Sequence, residues 1–216
     1  MEILSQFVDI VLHLDQHLAA LVAQYGLWIY AILFAIVFCE TGLVITPFLP
    51  GDSLLFVAGA LAAVGGMDIG LLIGTLTIAA ILGNTTNYAI GRWLGRRYFD
   101  EGRSRWVKRE HLDRTHAFYE RHGGAAVVIS RFLPIIRTYV PFVAGLAQMG
   151  SARFTAYNVG GAILWVGSLG YAGYFFGNLP WVRANLSAII VGIIAVSLVP
   201  LAVAAWKARG EGRARP

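Results

Sequence analysis

The chain has 216 residues, of which 57% are hydrophobic and only 13% charged, with a mean hydropathy of +0.66. Twelve acids and seventeen bases cannot cover the surface of a soluble domain of this size. This excludes a soluble enzyme, a disordered tail and a disulfide-built secreted module, and leaves a chain solvated by lipid.

The net charge of +5 does not point to nucleic acid, because its distribution is wrong for that. Residues 1–91 contain no Lys or Arg, nine basic residues fall between Arg92 and Arg121, and Lys207, Arg209, Arg213 and Arg215 close the chain. Basic clusters beside apolar runs mark cytoplasmic loops. The one cysteine, Cys39, lies inside an apolar run, so no disulfide framework exists.

In chain order, residues 1–24 carry Leu4, Phe7, Val11, Leu14, Leu18 and Leu21 at helical spacing, which predicts an amphipathic interfacial helix. No basic region or small-residue cleavage site marks it as a signal peptide. Residues 25–40 are read as a transmembrane helix. Residues 41–66 are apolar but broken at Pro47, Pro50 and Gly51, with Asp52 following. Each proline removes a backbone donor, and broken backbone at membrane depth survives only under cover of protein or a water-filled cavity. This stretch is therefore expected to form a re-entrant hairpin.

Residues 69–91 are uncharged and span. Residues 92–123 form a basic cytoplasmic loop with a short amphipathic helix over His111–His122. Residues 124–150, broken at Pro134 and Pro141, form the second re-entrant hairpin. Residues 154–182 and 184–206 are two further spans, and 207–216 is a cytoplasmic tail. Parity of crossings places the hairpins on opposite faces of the membrane. The expected fold is an all-α polytopic membrane protein, a single integral domain with two opposed hairpins and about four transmembrane helices.

The chain also repeats itself. Phe56-Val57-Ala58-Gly59 recurs as Phe142-Val143-Ala144-Gly145, each after a Phe-Leu-Pro. Each precedes a span ending in glycines, Gly91 and Gly95 in one copy, Gly173 and Gly177 in the other. Opposed repeats with interrupted helices are the layout of secondary transporters, with substrate bound where the breaks meet.

Charge inside the bilayer costs roughly 2.5–3.5 kcal/mol per residue at a helix centre. Glu40 and Asp52 in one copy, and Arg131 and Arg137 in the other, bear that cost. They are expected either to pair with one another or to act, the arginines on a phosphate and the acids as proton carriers. Arg131 and Arg137 flank Pro134, and a break there lets both guanidiniums face one pocket. Asn84 and Asn87 line a cavity or bond neighbouring helices. His111 and His116 lack metal spacing, no metal or cofactor is expected, and no histidine follows Ser130-Arg131 to complete a phosphatase site.

Glu40-Thr41-Gly42, Phe48-Leu49-Pro50-Gly51-Asp52, Gly91-Arg92-xx-Gly95, Ser130-Arg131-Phe132-xx-Pro134-xx-Arg137 and Phe142-Val143-Ala144-Gly145 carry a resemblance. From about Gln24 to Trp206 the chain resembles the DedA family of bacterial inner-membrane proteins, which shares the VTT domain with SNARE-associated and scramblase proteins. The resemblance implies return of a lipid carrier, chiefly undecaprenyl phosphate, across the inner membrane with dependence on the proton motive force. It also implies that Glu40, Asp52, Arg131 and Arg137 are the functional residues. The expected partners are the lipid phosphate, membrane lipids and protons, without nucleic acid. A homo-oligomer is compatible with the reading, and no enzymatic activity is expected. The alternatives are a proton-coupled antiporter for small cations or drugs, which sits awkwardly with two arginines, and a non-transporting assembly scaffold.

Overall fold

The computed structural model describes residues 14–43, 51–100, 124–133, 136–177, 179–185, 188–189 and 192. All regular structure among them is helical: α1 (Leu14–Tyr25), α2 (Trp28–Gly42), α3 (Gly51–Ala63), α4 (Ile69–Asp100), α5 (Ile136–Leu146), α6 (Ser151–Phe176) and the short α7 (Pro180–Ala184). Residues 124–130 are helical too.

Two of these helices, α4 through Arg97 and α6, are long and apolar enough to cross a bilayer. At 1.5 Å per residue α4 runs about 48 Å and α6 about 39 Å, whereas α2, α3 and α5 run only about 16–22 Å. The outward faces of the long helices carry Leu71, Ile78, Leu82, Ile90, Ile163, Leu164, Tyr171 and Phe175. The buried positions include Glu40, Asn84, Asn87, Arg131, Arg137 and Asn158. Apolar outside and polar at the centre is the pattern of a protein solvated by lipid.

Each short helix after a break packs on the long helix of the other repeat. On α3, Phe56 and Ala60 lie against Gly173 of α6 and Gly177 just beyond its end; on α5, Phe142 and Leu146 lie against Gly91 and Gly95 of α4. Gly59 meets Gly170 and Tyr174, while Gly145 meets Tyr88 and Arg92, the same crossing made twice. Both helices of each pair advance by one turn together, so each pair runs parallel. The long helices run antiparallel, since Asn158 meets Ile81 and Thr85 while Gly170 meets Ile73. It follows that α3 and α5 point in opposite directions. Glycine is required where backbones touch: a Cβ on Gly91 or Gly173 would fall on the carbonyl of Phe142 or Phe56.

Several boundaries differ from those the sequence predicts. Gly26, at φ +52°, separates α1 from α2, and α2 continues through Thr41 and Gly42, which the sequence assigns to the hairpin. Helix α4 continues past Gly91 to Asp100. The span expected over 154–182 ends at Phe176, and Pro180 starts a new short helix. Pro141 does not break a helix: it lies inside α5. A proline disturbs the preceding turn, and here the Thr138 carbonyl in that turn accepts from Asn87 Nδ2 on α4 at 2.7 Å. Pro47, Pro50 and Pro134, the amphipathic helix over 111–122 and nearly all of the 184–206 span lie outside the described residues.

Candidate functional site

Helix α3 starts at Gly51, and the Gly51 N–H donates to Glu40 Oε1 at 3.2 Å. A carboxylate at a helix N-terminus satisfies an orphan donor and faces the positive end of the helix dipole. Gly51 is glycine because a Cβ there would collide with that carboxylate. Asp52 lies in the same first turn.

Arg137, second residue of α5, reaches both acids. Its Nη2 donates to Glu40 Oε1 and its Nη1 donates to Asp52 Oδ1 at 2.9 Å. The Trp165 indole N–H on α6 donates to the same Asp52 oxygen at 2.9 Å, and the Arg137 guanidinium lies 5.3 Å from the Trp165 ring centroid. Helices α2, α3, α5 and α6 thus meet on one buried ion-pair triad. Acids from one repeat join an arginine of the other.

Arg131 is equally buried, at 2% exposure, and has different partners. Its Nη2 donates to Asn158 Oδ1 at 2.6 Å, to the Asn158 carbonyl at 3.3 Å and to the Ala80 carbonyl at 3.4 Å. All are neutral, and its Nε has no hydrogen-bond partner. No carboxylate among the described residues pairs with it. The side chain packs on Gly161, one helical turn from Trp165, so both guanidiniums face the same strip of α6. The two arginines of the sequence reading occupy neighbouring seats with separate bonding partners: Arg137 pairs with two acids, and Arg131 is held by amide and carbonyl oxygens.

The polar residues of α4 divide in the same way. Asn87 is fully buried and bonds the carbonyls of Thr41 and Thr138, bracing α2 to α5. Asn84 is buried as well. A shallow, open groove of about 400 Å³ on this helix is lined by Thr85, Thr86, Ala89, Ile90 and Trp93, and neither asparagine is among its lining residues. Asn87 therefore bonds neighbouring helices. Sequence reasoning missed Asn158 and Trp165. Asn158 is the lone amide of α6, and that was the available signal.

Comparison with known proteins fits this frame. The VTT domain model matches residues 49–175, from the first break to the end of α6. Protein DedA of Escherichia coli (strain K12) is 54% identical over 93% of this chain and 92% of its own length.

The chain belongs to the DedA family.

An uncharacterized membrane protein of Mycobacterium leprae is 45% identical over 79% of this chain and 77% of its own. Inner membrane protein YqjA of Escherichia coli (strain K12) is 37% identical over 83% and 81%. No solved structure matches the chain. As a DedA family member, the protein is a helical protein of the bacterial inner membrane.

Proposed function

We propose that this DedA family protein moves a lipid-linked phosphate, undecaprenyl phosphate, across the inner membrane, with protons as the coupling ion. One observation carries the reading: among the described residues Arg131 is a buried cation seated only by neutral oxygens, beside a second arginine that pairs with two acids. A guanidinium offers planar, forked donors that match a phosphate, and its orphaned Nε leaves one of them available.

With all four groups ionised, Glu40, Asp52, Arg131 and Arg137 sum to zero. An entering anion upsets that balance where uncompensated charge is costly, and a proton on Glu40 or Asp52 restores it. Phosphate entry and proton uptake are then two halves of one event. The opposite directions of α3 and α5 support hairpins that dip from opposite faces, with Arg92–Arg121 and the C-terminus in the cytoplasm. Cysteines placed at the exposed Gly66 and Gly150 of a Cys39-free protein are expected to label from opposite sides.

The deciding test is reconstitution into liposomes with a leaflet-resolved assay of undecaprenyl phosphate, with and without a pH gradient. Movement that the gradient accelerates, and that Arg131→Ala abolishes, is the expected result. No movement by a well-folded protein overturns the reading in favour of a scaffold.

A further inference from the structure

We propose that Asn158 is a positioning residue that sets the site's preference for anions: it holds Arg131 in place through a neutral amide, without pairing it to a carboxylate. The inference rests on the reading of Arg131 as a phosphate seat.

Asn158 is fully buried on α6. Its Oδ1 accepts from Arg131 Nη2 at 2.6 Å, and its Nδ2 donates to the Ile81 carbonyl at 3.1 Å and to Thr85 Oγ1 at 3.1 Å. These neighbours fix which way the amide points. A guanidinium only donates and a carbonyl only accepts, so a flipped amide would set donor against donor and acceptor against acceptor. Thr85 Oγ1 in turn donates to the Ile81 carbonyl at 2.7 Å, closing a small ring on α4. The amide therefore anchors Arg131 to both long helices at once.

The residue type matters as much as the place. Few neutral side chains accept from an arginine on one side and donate to a carbonyl on the other. A carboxylate there would bond the arginine more strongly, but it would cancel the charge and set an oxygen against the Ile81 carbonyl. A leucine would leave the guanidinium charged and held only by the longer bonds to the backbone carbonyls of position 158 and Ala80. The contrast within the protein is direct, since Arg137 has two carboxylates and Arg131 has an amide. Two arginines side by side thus receive opposite treatment: one is locked, and the other is held ready for an incoming anion.

The network also reaches the surface. Thr85 is exposed and lines the groove on α4 with Ala89, Ile90 and Trp93, so Asn158 separates the buried cation from this apolar, outward-facing groove.

The test uses the full-length protein in nanodiscs, with farnesyl phosphate and farnesol as probes. Their affinities are measured for wild type, Asn158→Asp and Asn158→Ala, with Tm recorded without ligand. Wild type is expected to prefer the phosphate. Asn158→Asp is expected to lose that preference, with phosphate affinity at least tenfold lower, while farnesol binding stays unchanged. Asn158→Ala, which keeps the charge but removes the arginine's shortest bond, is expected to bind the phosphate several-fold more weakly and still prefer it to the alcohol. A merely structural amide would lower Tm in both variants and leave the phosphate-to-alcohol ratio alone. If Asn158→Asp folds and keeps the wild-type ratio, the inference is overturned while the reading of Arg131 stands. If Asn158→Asp does not fold, Asn158→Ala decides, and wild-type phosphate affinity in that variant overturns the inference. If wild type itself shows no preference, the proposed function falls, and this inference with it.

Discussion

At the scale of single residues, the two arginines should respond differently to the same substitution. Arg137→Ala leaves Glu40 and Asp52 buried without their cation, and breaking a buried pair in this way costs about 3–5 kcal/mol. A large drop in detergent melting temperature and a low yield of folded protein are expected. Arg131→Ala removes a cation that contacts no carboxylate among the described residues, so a smaller change in melting temperature is expected, together with loss of phosphate binding. Arg131→Lys keeps the charge but not the planar fork, and should bind with intermediate strength. Equal melting losses for the two alanine variants would contradict the division of labour. The acids follow from the same arrangement. Glu40→Gln or Asp52→Asn leaves Arg137 with one counter-charge, so the fold should persist while transport stops responding to a pH gradient. Leaflet-resolved assays at matched protein levels check this.

At the scale of elements, the paired crossings set a symmetric expectation. Gly91→Ala and Gly173→Ala place a Cβ on equivalent carbonyls, and overpacking of this kind costs about 1–3 kcal/mol. The two losses, read from thermal melts, should be similar. Gly160→Ala and Gly167→Ala meet no neighbour within 4 Å and should be silent. Much of this was legible in the residues. The Phe-Val-Ala-Gly repeat and the glycine pairs announce two close backbone contacts, because only small residues permit them. Which copy packs on which was not legible, since the pairing depends on long-range placement that no local spacing encodes. Pro141 misled for a related reason: its local effect does not end α5, whose preceding turn is also bonded from α4 through Asn87 and the Thr138 carbonyl. The four charges were visible as costly residues, yet their partners were not. Asn158 escaped notice because a single amide in an apolar span creates no pattern.

At the scale of the whole molecule, the charge centre lies at the meeting of the two repeats. Helices α2, α3, α5 and α6 each contribute one side chain to the triad and its indole, and α4 braces them through Asn87. Neither repeat holds the site alone, since the acids come from one and the arginines from the other. The reciprocal packing of α3 on α6 and α5 on α4 also bears on how the protein is made. When the ribosome has released the first hundred residues, Gly59 has no Gly170 to meet, and Glu40 and Asp52 lack their partner Arg137. The nascent half must wait in the bilayer with two acids without that partner and an uncovered glycine seam until the second half arrives. Cutting the gene within the stretch encoding residues 101–123 should therefore give two fragments that are degraded when expressed singly and recovered together when co-expressed, as a membrane-extract immunoblot would show. Survival of the first fragment alone would mean that the halves mature independently and only later dock.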